Sequence, residues 1–494
     1  MPQTKEQIFA QARAAKLWAG HLIGGHDAPG AVLDNTTPID NSSIGSIEAG
    51  TAADVDRAVQ VARASFESGE WSQRPPAERK RVMLAWADLM AAHAEELAAL
   101  DCVDAGKPIT ECLNTDLPAT LDTFRWYAEA IDKCYGRVAP TGPQALGLIV
   151  KEPIGVVGAV LPWNFPAQMY AWKVAPALAA GNSVIVKPAE LTSLSAYRMT
   201  ELAHEAGVPA AALQLVTGLG EEVGRAIGLH PDIDVVSFTG STEVGRLFLR
   251  YSADSNLKEI VLECGGKSPQ VIFDDADLDA AVDHVLAAAF WNMGENCSCG
   301  SRLIVQSGVK AALLQRLQAR LADWKVGLPT DEAVQIGPLV EKAHFDKVHG
   351  FLQSAASEGL RLVHGGRVHA DLGSGWYVEP TIFDEVHPGS RLFQEEVFGP
   401  ILAITGFDTE AQAIALANDS QYGLAASLYT RDVFRAQRMA RAIKAGTVSI
   451  NGFSEGDITT PFGGYKQSGF GGRDNGLEAL DQYQQTKTIW YVNE

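Results

Sequence analysis

Little cysteine, no dense block of positive charge and no long apolar run are the first features of this 494-residue chain, and each deficit closes off a class of protein. Six cysteines at this length do not make a disulfide framework. Neither Cys297-Ser298-Cys299 nor any cysteine combined with histidine has zinc-site spacing, so no metal is expected in the chemistry. Cys102, Cys112, Cys134 and Cys264 read as packing cysteines in a reducing compartment. The formal net charge of −20, without a Lys/Arg cluster, argues against nucleic acid or an anionic membrane as partner. That acidity serves solubility, with steering of a cationic substrate as the alternative. No apolar stretch approaches the roughly 18 residues of a membrane span. The start, Met1-Pro2-Gln3-Thr4-Lys5, lacks the basic-then-apolar pattern of a signal peptide, so a cytoplasmic location is expected.

Two nucleotide fingerprints are also missing. Gly218-Leu219-Gly220-Glu221-Glu222-Val223-Gly224 has one residue too many before its last glycine for the dinucleotide pattern, and by itself reads as a turn. The full P-loop pattern is absent, because Val261 stands where its first glycine would precede Gly266-Lys267-Ser268, which excludes a P-loop kinase or ATPase.

What is present describes a well-folded enzyme. With 46% hydrophobic and 20% charged residues the chain can build a large core, and its length suggests about three domains. Ala52 to about Asp132 is rich in Ala and Leu at helical spacing. From Gly155 onward, β-branched runs at Val156–Val160, Ser183–Val186, Leu213–Val216, Val235–Phe238 and Ile260–Leu262 alternate with helical stretches. This predicts parallel strands with crossover helices, the layout that binds dinucleotides at strand carboxyl ends. After Lys267 the pattern restarts, with a strand near Val271, a helix over 278–291, a cysteine loop and a strand over 303–305. Leu146–Glu152 and Thr486–Tyr491 read as extended segments.

Four segments carry chemistry: Leu161-Pro162-Trp163-Asn164-Phe165-Pro166, Leu262-Glu263-Cys264-Gly265-Gly266-Lys267, Gly294-Glu295-Asn296-Cys297-Ser298-Cys299-Gly300-Ser301-Arg302 and Gln394-Glu395-Glu396-Val397-Phe398-Gly399-Pro400. A thiolate attacks carbonyl carbon well, and a carboxylate in a poorly solvated pocket can deprotonate water near neutrality. In this order the segments resemble the aldehyde dehydrogenase superfamily, and family-like stretches run from about Asp34 to Tyr491. The resemblance implies an α/β fold: a Rossmann-type cofactor domain over 1–137 and 157–266, a second α/β catalytic domain over 267–472, and a small β oligomerisation arm over 138–156 and 473–494. A homodimer or homotetramer is expected with it.

The resemblance also assigns roles. Cys297 is the nucleophile, Asn164 and the Cys297 backbone N–H hold the oxyanion, and Glu263 activates water to hydrolyse a thioester. Glu263 speaks against transfer to coenzyme A. Cys299 competes as a thiol by composition, but the alignment of the loop selects Cys297, leaving Cys299 for oxidative chemistry as a hypothesis. Phe238-Thr239-Gly240-Ser241 ends an apolar strand and opens a helix, where backbone N–H groups meet a pyrophosphate; Gly240, Ser241 and Gly245 are assigned to the cofactor. Lys187 and Glu190 take the adenosine ribose, and a carboxylate there favours NAD over NADP. Glu396 and Phe398 take the nicotinamide ribose and ring, with Pro162, Trp163, Gly220, Gly224 and Cys264 also along the cofactor.

Asn451-Gly452-Phe453-Ser454-Glu455-Gly456-Asp457 and the Pro461–Gly469 stretch resemble the subgroup acting on γ-glutamyl-γ-aminobutyraldehyde and other ω-amino or guanidino aldehydes. Phe165, Met169, Trp172 and Phe453 are expected to form an apolar tunnel, and Glu455, Asp457 or Asp116 at its mouth to offer a carboxylate to an ammonium or guanidinium. A broad aliphatic, aromatic or betaine-type aldehyde dehydrogenase is the nearest alternative, and a non-catalytic binding or structural protein the remotest.

Overall fold

A computed structural model of the chain describes residues 5–14, 17–25, 30–454 and 456–492. The helical region resolves into Ala52–Ser68, Pro76–Ala92, Ala94–Ala105 and Leu117–Ala130. The first of these opens on a capping box, in which the Thr51 backbone N–H donates to Asp54, and stops at Gly69, whose φ of 79° a side-chain-bearing residue disfavours.

Ala52–Ser68 packs on a six-stranded sheet ordered 469–470, 259–263, 235–239, 156–160, 183–187, 213–215, and the other three pack around helices Pro166–Ala180 and Leu194–Ala206. All strands but Gly469–Phe470 run parallel, and Val156–Val160, Ser183–Lys187 and Val235–Thr239 are buried along their whole length, as parallel strands covered on both faces must be. The order reverses at Val156–Val160: the chain moves one way to 183–187 and the other way to 235–239. A crevice opens at the carboxyl ends where such a reversal occurs.

A second, seven-stranded sheet is ordered 361–364, 381–384, 401–407, 302–306, 269–272, 425–429, 447–450. Val271, Ile304, Leu428 and their neighbours form its core. The two sheets are joined by the short stretch between Glu259–Glu263 and Pro269–Ile272, which therefore lies where they meet. Glycines let it do so. A Cβ at Gly266 would run into the Cys297 carbonyl oxygen, and one at Gly265 into the Glu396 carboxylate.

The two extended segments are strands that pair with each other. Ala145–Pro153 lies antiparallel to Gln484–Val492, with Thr486 opposite Lys151, and Arg137–Ala139 completes a three-stranded sheet. A further three-stranded sheet, made of Trp18–Ala19, Val32–Thr36 and Ser43–Glu48, precedes the helices. Its short, half-exposed strands carry little apolar periodicity, which is why the sequence pattern passes over it.

Candidate active site

Helix Pro166–Ala180 starts at the carboxyl end of the central strand, with Pro166 at its first position, and the turn before it presents Asn164. The next carboxyl ends present Gly240-Ser241 and, one strand further, Glu263. Cys297 arrives from the other sheet, on the loop between helix Leu278–Phe290 and strand Arg302–Gln306. Asn292 and Met293 take left-handed φ values of 50° and 56° on the way, a conformation that costs free energy and persists only where the surroundings impose it. Here the Asn292 side-chain amide donates to the carbonyls of Asn164 and Glu295, both at 3.0 Å.

Asn164, Glu263 and Cys297 line one cavity of 210 Å³. The Asn164 Nδ2 donates to the Glu295 carbonyl at 2.9 Å, which uses one of its two hydrogens. Glu263 is 3% exposed and neither carboxyl oxygen has a hydrogen-bond partner. Burial, reinforced by the nearby Asp474 carboxylate, pushes its pKa well above the usual carboxylate value, against the pull of Lys173 and Arg473. Cys299 is buried, donates its thiol to the Ala289 carbonyl at 3.4 Å, and is pushed up to about 12 by desolvation. Cys264 lines the cavity as a neutral thiol, raised to about 12 for the same reason.

A second cavity of 430 Å³ carries Lys187, Glu190, Gly220 and Gly224. The two cavities share Pro162, Trp163, Thr239, Gly240 and Ser241, at the two strand ends flanking the sheet reversal. Ser241 caps helix Thr242–Ala253 by accepting from the Val244 N–H at 3.2 Å, so the positive helix end faces the junction. Lys187 donates to Glu190 at 2.7 Å. Gly245 contributes packing instead of lining: a Cβ there would come within 3.0 Å of the Cys264 sulfur. Glu396 accepts from the Gly266 N–H at 2.7 Å, and Phe398, at a left-handed φ of 59°, stands 5.3 Å from the Trp163 ring.

The crevice thus has the shape and polarity of an extended dinucleotide site ending beside a thiol and a base. A family model described as the aldehyde dehydrogenase family matches residues 26–489. The chain belongs to the aldehyde dehydrogenase family.

As an aldehyde dehydrogenase it is 54% identical over 462 residues to the aminoacetaldehyde dehydrogenase of Pseudomonas aeruginosa, covering 93% of this chain and 92% of that one. The crystal structure of γ-glutamyl-γ-aminobutyraldehyde dehydrogenase from Burkholderia cenocepacia superposes with a TM-score of 0.97 at 42% identity, covering 100% of both chains. A mutant of Pseudomonas syringae AldA, an indole-3-acetaldehyde dehydrogenase solved with NAD+ and IAA, gives 0.97 at 43% identity, covering 99% of this chain and 100% of that one.

The apolar side of the catalytic cavity departs from expectation. Phe165, Met169 and Trp172 cluster with Leu424 and Phe462, against which Trp291 and Cys297 pack. Phe453 is half-buried and lies outside both that cluster and the residues enclosing the cavity; Phe462, 5.1 Å from the Trp172 ring, is the aromatic that backs the wall. Asp116 is 1% exposed and paired with Lys107, so it offers nothing to the cavity mouth; a buried carboxylate needs a buried cation more than a passing substrate. Asp457 is exposed and accepts from the Thr459 N–H at 2.8 Å and hydroxyl at 2.5 Å within its own turn, away from the cavity. Glu455 lies outside the described residues.

Several lining residues escaped the sequence reading. His344 and Lys347 enter from helix Lys342–Ser357, one turn apart. His344 donates to the Phe398 carbonyl at 2.6 Å and burial pushes it down to about 4, so it is neutral. No local motif announces them. Trp291 and Phe462 lay within stretches already singled out, and only packing shows which aromatic faces inward.

Proposed function

We propose that the enzyme oxidises an amino-bearing aldehyde to its carboxylic acid with NAD as acceptor. The Cys297 thiolate adds to the carbonyl carbon, and the resulting oxyanion is met by the second Asn164 N–H and the Cys297 backbone N–H. Such an adduct, a thiohemiacetal, can expel hydride where the parent aldehyde cannot. Bound NAD supplies the hydride acceptor, and the cavity pair fits it: Lys187 and Glu190 for the adenosine ribose, Gly240, Ser241 and the helix end for the pyrophosphate, Glu396 and Phe398 for the nicotinamide riboside. The Glu190 carboxylate favours NAD over a 2′-phosphorylated dinucleotide.

Loss of hydride leaves a thioester on Cys297. Glu263 removes a proton from water, which attacks the acyl carbon; the acid leaves and the thiolate is restored. The observation that carries this reading is the single 210 Å³ cavity enclosing Cys297, Glu263 and Asn164 and opening into the dinucleotide crevice. The amino-aldehyde substrate is supported by the 54% identical relative.

The domain assignment made from the sequence, 1–137 with 157–266, 267–472, and the arm 138–156 with 473–494, carries over to this reading. The arm exposes Trp490, Tyr491 and Val492, an apolar strip suited to a second copy in a homodimer or homotetramer. Free cysteines fit work in a reducing compartment such as the cytoplasm.

The test is NADH formation at saturating NAD over a panel of aminoacetaldehyde, 4-aminobutyraldehyde, 4-guanidinobutyraldehyde, γ-glutamyl-γ-aminobutyraldehyde, betaine aldehyde and hexanal, with Cys297→Ala as control. Activity on amino aldehydes that Cys297→Ala abolishes is expected; activity that survives Cys297→Ala overturns the mechanism. Light scattering of the purified enzyme reads the oligomer.

A further inference from the structure

Beyond Asn164, Asn296 and Cys297, the wall of the catalytic cavity contributed by helix Pro166–Ala180 is apolar except at one position. Phe165, Met169 and Trp172 form its wall, and between them Gln168 lines the same cavity. Gln168 lies in the first turn of helix Pro166–Ala180, one full turn before Trp172, so the two side chains stack on one face. It is half-buried, and its amide makes no hydrogen bond among the described residues. An amide set in an apolar wall without a protein partner is left to solvent, and a ligand with a matching group can take the place of that solvent.

The neighbourhood decides which group matches. Lys107 holds its ammonium 3.6 Å from the centroid of the Phe165 ring and is itself paired with Asp116. No carboxylate other than Glu263 and Glu396 lines this cavity among the described residues, and both are on the catalytic and cofactor sides. The side-chain carbonyl of Gln168 is therefore the acceptor open to a donor on the substrate chain. The 210 Å³ must also take the nicotinamide, which keeps that chain short.

Building on the aldehyde-oxidising reading above, we propose that Gln168 is a specificity-determining residue. Its carbonyl oxygen accepts a hydrogen bond from an amine or ammonium a few bonds from the aldehyde carbon, so short amino aldehydes are preferred to alkyl aldehydes of equal length. One charge-assisted hydrogen bond corresponds to about ten-fold in kcat/KM.

The experiment compares wild type, Gln168→Leu and Gln168→Glu on aminoacetaldehyde, 3-aminopropionaldehyde and propanal. Leucine keeps the bulk and the helix while removing the acceptor. The expected result is a loss of about ten-fold on the amino aldehydes in Gln168→Leu, carried by KM, with propanal unchanged or improved. Gln168→Glu, which keeps the acceptor, should retain or raise the amino preference. A common factor on all three substrates, or no change on any, overturns the proposal while leaving the aldehyde reading intact. Failure of wild type to oxidise any of the three overturns that reading and this proposal with it.

Discussion

The side-chain amide of Asn164 is fixed by the carbonyl of Glu295, two residues before Cys297, at 2.9 Å. One hydrogen bond thus ties the strand-end turn of one sheet to the nucleophile loop of the other. The Glu295 carboxyl is buried, accepting from the Val340 N–H at 3.2 Å, and desolvation pushes its pKa well above the usual carboxylate value. The Asn164 amide, the proposed oxyanion donor, is thereby held in place before substrate arrives, which is what makes such a donor effective.

Asn164→Ala should therefore lower kcat by about 10²–10³ with little change in NAD binding. Single-turnover hydride transfer and NAD titration by fluorescence quenching separate the two. Equal losses in both would show that the substitution has disturbed the crevice and not the oxyanion site alone.

The two loop thiols should behave differently. Cys299 is buried, bonded to the Ala289 carbonyl and raised to about 12, so almost none of it is thiolate at neutral pH. Iodoacetamide labelling followed by peptide mass spectrometry should modify Cys297 first. Cys299→Ser should keep kcat/KM close to wild type.

Glu263 sets a pH dependence. Its folded pKa is raised, so the carboxyl is still protonated at pH values where an exposed glutamate is ionised. Only the ionised form takes a proton from water. Thioester hydrolysis should therefore rise with pH, its acidic limb lying well above the ordinary carboxylate range. Glu263→Gln should keep a first-turnover burst of NADH and lose steady-state turnover.

Lys107 and Asp116 form a buried ion pair beneath the Phe165 wall. Asp116→Asn leaves a buried cation without its counter-charge and should cost about 3–5 kcal/mol in urea unfolding. Any loss of activity should fall equally on cationic and alkyl aldehydes, because Asp116 does not reach the cavity. Asp457→Asn, on an exposed turn, should change neither stability nor selectivity.

The candidate site was legible in the sequence because the residues that meet in its cavity sit in short local motifs. Gly240-Ser241 follows, Glu263 ends and Asn164 stands in the turn after a strand whose β-branched run is readable, and the carboxyl end of a parallel strand meets the crevice whatever the rest of the fold does. Cys297 is marked by the glycines and polar residues around it. The substrate wall was less legible. Phe453 and Phe462 are equally plausible aromatics nine positions apart on an irregular stretch, and no periodicity tells which turns inward.

The acids show the same limit. Asp116, Asp457 and Glu111 look alike in sequence, yet Asp116 is sealed against Lys107, Asp457 caps its own turn, and Glu111 accepts from the Trp291 indole at 2.6 Å. The sequence by itself determined the two alternating α/β units and the family, and it marked the candidate reacting groups, all of which follow from local pattern. Which side chains wall the cavity, which carboxyl pKa values burial raises and which amide lines the cavity without a protein partner were decided only by tertiary structure, because burial and pairing are set by residues far apart in the chain.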